Sequence, residues 1–128
     1  GRSADHSEYG KLDQAVQVGP LLVDPGGING IRSTGGEHAS RATVCLTSDD
    51  QVAVIVTTDG IYRYDIGLLL SRPAADGGLG CERAINLDGE PSTQAVFINA
   101  AGKVSEVLTT GQKRPARMNN LLVFRPAE

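Results

Sequence analysis

Apolar positions come in short, β-branched runs separated by Gly, Pro, Asp and Ser, and almost nowhere at the 3.6-residue spacing of a helix. Arg41 to Thr47 and Gln51 to Thr57 are two such runs, and Ser48-Asp49-Asp50 joins them at hairpin length. The second run is apolar nearly throughout, the pattern of a strand covered on both faces, so it is expected at the centre of its sheet. Ala15 to Val18 and Leu21 to Val23 read as strand interrupted by Gly19-Pro20, because Pro denies the ladder a donor. Asp24-Pro25-Gly26-Gly27 then reads as a turn. Ala84 to Gly89, Thr93 to Asn99, Lys103 to Leu108 and Leu121 to Phe124 add further strands, with Ala100-Ala101-Gly102 turning the middle pair. Tyr64 to Arg72 is the exception, a short helix stopped by Pro73. Asn29 to His38 shows no period and is long enough for a binding loop. Strands that arrive mostly as hairpins imply an α+β fold: β-rich, mostly antiparallel or mixed sheet, with one short helix after the central hairpin.

Composition narrows the class. The chain has 128 residues, enough for one core, with a polar tail over 1–12 and a domain over 13–128. Its 40% hydrophobic and 21% charged residues belong to a packed domain and not to a disordered chain. A net charge of −3 lacks the basic footprint that a nucleic-acid binder needs to displace counterions from phosphates. No apolar run approaches the length of a transmembrane helix. The polar start, without an initiator Met or an apolar h-region, reads as a mature or trimmed chain. Cys45 and Cys81 allow one disulfide or two buried thiols, and their spacing is not that of a metal site. No cofactor is expected, since no His/Cys cluster supports zinc and the acidic loops offer calcium nothing specific.

One segment concentrates polar groups beyond what packing demands. Asn86-Leu87-Asp88-Gly89-Glu90-Pro91-Ser92-Thr93 places an amide, two carboxylates and two hydroxyls where a strand runs into a turn. Such strand ends display functional side chains on a rigid base, although Asp and Ser also serve turns by bonding local backbone. The blander reading holds for His38 and His6, which read as solvated, for the turn acids Asp24, Asp49 and Asp50, and for the loop arginines Arg114 and Arg117.

Read whole, Leu79-Gly80-Cys81-Glu82-Arg83-Ala84-Ile85-Asn86-Leu87-Asp88-Gly89-Glu90-Pro91-Ser92-Thr93 resembles a signature of the phosphodiester glycosidase family, the bacterial relatives of the lysosomal uncovering enzyme. Ala15 to Val23, Ser40 to Val44 and Asn119 to Phe124 resemble three further family stretches in the same order. Glu90 stands where the family has a second Gly, and Ala42-Thr43 is inverted relative to the family's strand. The family carries another segment ahead of Gly19-Pro20. The resemblance therefore assigns this chain to the C-terminal part of the domain, with a companion N-terminal fragment or a second copy completing the sheet.

The resemblance implies hydrolysis of the bond between a sugar anomeric carbon and a phosphodiester oxygen, in a secreted, periplasmic or envelope-associated protein. That chemistry wants a carboxylate near the anomeric carbon and a cation near the departing phosphate. Asp88 fits the first role, Asp59 or Glu90 is the second carboxylate, and Arg41 offers a planar fork to phosphate oxygens. Asn86, Gly89, Ser92, Thr93 and Gly19 would bind and orient the sugar-phosphate or glycan substrate. The alternative is a module of the cell envelope that binds carbohydrate or phosphate on the same fold without turning it over.

Overall fold

The computed structural model describes residues 13–89, 91–109 and 121–125. Its strands are β1 (Leu21–Asp24), β2 (Ile28–Asn29), β3 (Arg41–Thr47), β4 (Val52–Val56), β5 (Cys81–Gly89), β6 (Gln94–Ile98) and β7 (Val104–Thr109), and its helix is α1 (Arg63–Ser71). Five strands form one sheet in the order β2-β1-β5-β3-β4, and β6 pairs with β7 apart from it. Every strand pairing is antiparallel, as the hairpin pattern predicts.

β3 shows how one face is built. Arg41, Thr43 and Cys45 are buried while Ala42, Val44 and Leu46 are half-buried, the two-residue alternation of a strand covered on one side. α1 lies over the covered side. Its Ile66 and Leu70 pack with Leu22, Val23, Cys45, Cys81 and Ala84 into the core, and Ile31, Ala53, Ile55 and Ile61 border it. Full burial of Leu22, Ile66 and Leu70 contributes about 1.5–3 kcal/mol each. Close approach of the helix depends on Gly67: a Cβ there would stand 3.0 Å from the Leu22 carbonyl oxygen and 2.5 Å from Asn29 Oδ1. That Asn29 oxygen accepts from the Ile31 N–H, and its amide donates to the Tyr64 carbonyl, tying β2 to the helix start.

Cys45 and Cys81 are joined in a disulfide that links β3 to the start of β5. The hairpin between β3 and β4 turns where expected, with Asp50 at φ 61° and the Thr47 hydroxyl bonded to Asp49 and to the Gln51 N–H.

The structure corrects four expectations. β4 is an edge strand, and β5 takes the centre. Val52 and Val54 are 58% and 47% exposed, so the apolar run of β4 reflects one covered face and one bare one. Ala15 to Val18 forms no strand, and the exposed Leu121 to Phe124 forms none either. Asn29 belongs to β2 and not to the loop that follows. On the face away from α1, a shallow apolar depression of about 160 Å³ is lined by Val44, Leu46, Arg83, Ala84 and Ile85.

Candidate functional site

The start of β3, the end of β5 and the loop leaving β4 meet at one end of the sheet. Arg41 stands opposite Gly89 in the β3–β5 ladder, and Thr43 stands opposite Asn86. A register shift between these pairs breaks the regular ladder at this end. The loop after β4 is fastened here from both sides: the Arg41 N–H donates to Thr57 Oγ1 at 2.8 Å, and the Thr57 N–H donates to the Arg41 carbonyl at 2.9 Å.

Arg41 is only 1% exposed, unusual for a side chain that ordinarily keeps its charge in water. Its Nη2 donates to the Glu37 carbonyl at 2.7 Å, and its guanidinium rests against Gly89. A Cβ on Gly89 would lie 3.1 Å from Arg41 Nη1 and 3.3 Å from the Ser40 carbonyl oxygen, so glycine leaves the room that the buried cation uses. Sequence reasoning placed both residues in the site, and the structure brings them into contact.

Around this cation lie polar groups that the core does not satisfy. Asn86 is 4% exposed, and its Oδ1 is buried with no hydrogen-bond partner among the described residues. The Ser40 hydroxyl is likewise buried and unpartnered among them. Thr93 is buried and donates from Oγ1 to the Ser40 carbonyl at 3.3 Å, which holds the start of β6 against the start of β3. The Ser92 N–H closes the turn onto the Gly89 carbonyl at 2.9 Å. Gly19, exposed, precedes Pro20 through a cis peptide bond, and the Pro20 carbonyl accepts the Asn86 N–H at 3.1 Å. Arg41, Asn86, Gly89, Ser92 and Thr93 thus share one region, and Gly19 is connected to it through Pro20.

The carboxylates are placed less completely. Asp88 belongs to β5 between Asn86 and Gly89, but its side chain lies outside the described residues, as does Glu90. Asp59 is exposed in the loop that begins at Thr57. Arg114 and Arg117 also lie outside the described residues. His38 packs edge-on against Tyr62 with ring centroids 4.8 Å apart, and it covers Gly60, where a Cβ would collide with its ring.

Two charged groups escaped the sequence reading. Glu37 Oε2 lies 3.6 Å from Nη2 of Arg41 and 3.6 Å from Nη2 of Arg63, the first residue of α1. Arg63 Nε is buried with no hydrogen-bond partner among the described residues. The spacing of Glu37 and Arg41 hinted at a pairing, but nothing along the chain connects either to Arg63.

A roomy cleft lies elsewhere. About 750 Å³ in volume, it opens at the opposite end of the sheet, where Gly26, Thr47, Ser71, Leu79 and Glu82 are among its lining residues. None of the strand-end residues above lines it.

A buried arginine, an amide oxygen and a hydroxyl without partners among the described residues, and a glycine that makes room stand together at one strand end of an antiparallel α+β scaffold. The model of the phosphodiester glycosidase family matches residues 3–125, nearly the whole chain. The chain belongs to that family. No curated protein and no solved structure matches it.

Proposed function

We propose that this protein hydrolyses the glycosidic bond of a sugar-1-phosphodiester, releasing the sugar and a phosphomonoester. The observation that carries the reading is the Arg41 guanidinium, 1% exposed and seated on Gly89 beside Asp88 in β5. Family membership supports phosphodiester glycosidase activity, and the strand end supplies groups suited to it.

In this reading the anomeric C–O bond breaks with its electron pair passing to the phosphate oxygen, and water supplies the new oxygen on the anomeric carbon. The leaving group is already a stable anion, so the step depends more on a fixed cation than on a strong acid. Arg41 holds the phosphoryl oxygens. The Asp88 carboxylate stabilises positive charge at the anomeric carbon, and Asp59 or Glu90 takes up the proton from water. Asn86 offers its buried acceptor to a sugar hydroxyl or amide, while Ser92 and Thr93 fix the turn that follows. The Cys45–Cys81 disulfide suits an oxidising compartment, in keeping with a secreted, periplasmic or envelope-associated protein. A companion N-terminal fragment or a second copy completing the sheet belongs to the same reading.

The position of the cleft of about 750 Å³, away from this strand end, favours the second reading: a carbohydrate- or phosphate-binding module without turnover. One experiment separates the two. Wild type and Asp88→Asn are assayed for release of phosphomonoester from a sugar-1-phosphodiester, alongside binding of the same compound. Turnover lost in Asp88→Asn supports the hydrolase; binding without turnover in both proteins establishes the module.

A further inference from the structure

Glu37 is an anion placed between two cations. Its Oε2 stands 3.6 Å from both guanidiniums, beyond the 2.7–3.2 Å of a good N–H···O bond, so both ion pairs are loose. The three partners differ in how firmly they are held. Arg41 is 1% exposed on its side chain and is fastened through the main-chain carbonyl of Glu37, not through its carboxylate. The Glu37 side chain is 58% exposed and free to swing into water. Arg63, 41% exposed, keeps its Nη2 near Glu37 and its Nε buried without a partner among the described residues. A buried N–H donor without an acceptor is costly and marks a place where an acceptor belongs. The Nε and Nη2 groups of one guanidinium form the edge that takes two oxygens of a phosphate at once.

We infer that Arg63 is a second phosphoryl anchor beside Arg41, and that the Glu37 carboxylate is a built-in competitor which a phosphoryl group displaces from both guanidiniums. The inference rests on the reading of this strand end as a phosphodiester site. It also adds a reason for Glu37. Hydrolysis turns a diester with one negative charge into a monoester with up to two, and a pair of arginines holds the second more tightly than the first. A carboxylate that returns to the guanidiniums speeds release of that product.

The test uses the whole chain and inorganic phosphate as probe, with binding followed by calorimetry and by the NMR signals of the arginine Nε–H groups. Glu37→Gln keeps the shape of the side chain and removes its charge, and it is expected to bind phosphate roughly three- to tenfold more tightly than wild type. Arg63→Gln is expected to bind it at least that much more weakly, and phosphate should shift the Arg63 Nε–H signal. Unchanged or weaker binding by Glu37→Gln overturns the inference. Because Glu37 is exposed, that variant carries the test even where Arg63→Gln fails to fold.

Turnover of a sugar-1-phosphodiester by the same proteins keeps the two claims apart. Tighter phosphate binding by Glu37→Gln with no turnover in any protein supports the anion site and sinks the hydrolase reading. Turnover that Asp88→Asn abolishes, with phosphate affinity indifferent to Glu37, does the reverse.

Discussion

Asn86→Leu should make the protein more stable and less active at once. The Asn86 Oδ1 is buried without a partner among the described residues, in a side chain 4% exposed. Taking such an acceptor out of water without a replacement bond costs about 1–3 kcal/mol. Leucine branches at the same atom and has the same number of heavy atoms, although its methyl groups are bulkier than the amide, so it fills the space with modest rearrangement. Its neighbour across the ladder is Thr43, and Ala84 and Cys45, which share that face, belong to the apolar core. The main-chain bond from residue 86 to the Pro20 carbonyl survives the change. Residual overpacking subtracts from the gain, which leaves a net stabilisation of about 1–2 kcal/mol. Urea unfolding reads this as a higher midpoint at unchanged slope, and thermal unfolding as a rise of about 3–8 °C. Over the same change, kcat/KM for a sugar-1-phosphodiester should fall by roughly a hundredfold or more, the usual consequence of removing an oriented polar group from a site. A lowered midpoint at unchanged slope would refute the reasoning, because it would mean that the amide holds the fold together. A raised midpoint with full activity would remove Asn86 from the site.

Two further substitutions probe the same end of the sheet and its staple. Gly89→Ala brings a methyl group to 3.1 Å from Arg41 Nη1, so the guanidinium must shift by a few tenths of an ångström. Phosphate affinity and turnover are expected to drop roughly tenfold with a stability loss under about 2 kcal/mol, and wild-type turnover in this variant would show that Arg41 has no tightly fixed role. Cys45→Ala combined with Cys81→Ala opens a loop closed across a sequence separation of 36, which should cost about 4 kcal/mol in chemical denaturation. A loss below about 1 kcal/mol would mean that the unfolded chain is already restricted without the bridge.

Much of this architecture is legible in the sequence because local pattern and final packing agree there. The β3–β4 hairpin has β-branched runs on both sides of an Asp-Asp turn, and Asp50 takes the positive φ that such a turn needs. The helix stops ahead of Pro73, as the residue pattern requires. The misplaced strand order has a clear physical source. An unbroken apolar run signals burial on both faces, yet in β4 Ala53 and Ile55 pack toward the core while Val52 and Val54 stay exposed. A single sequence reports that these side chains are apolar, not whether anything covers them. Ala15 to Val18 and Leu121 to Phe124 fail as strands for a related reason: β propensity describes fit to a pleated neighbour, and among the described residues no neighbour pairs with them. The site divides along the same line. Arg41, Asn86, Gly89, Ser92 and Thr93 lie in two short stretches whose residue types stand out. Glu37 and Arg63 are joined only by the folding of a loop onto the start of α1, which residue spacing does not encode.

The choice between the roomy cleft and the crowded strand end turns on what each would lose if it had no function. The cleft of about 750 Å³ is lined by turn and helix-end residues, none of which holds a buried side-chain polar atom without a partner among the described residues. There the Gly26 N–H donates to Glu82, and the Thr47 hydroxyl serves its own turn. No orphaned buried group among its described residues calls for a ligand. The strand end is different. It holds a cation at 1% exposure, and a buried amide oxygen and a buried hydroxyl without partners among the described residues. Each of these lowers stability by an amount that a leucine or an alanine would recover. Local rules broken together at one place are the signature of a site maintained for chemistry, and volume alone carries no such signature.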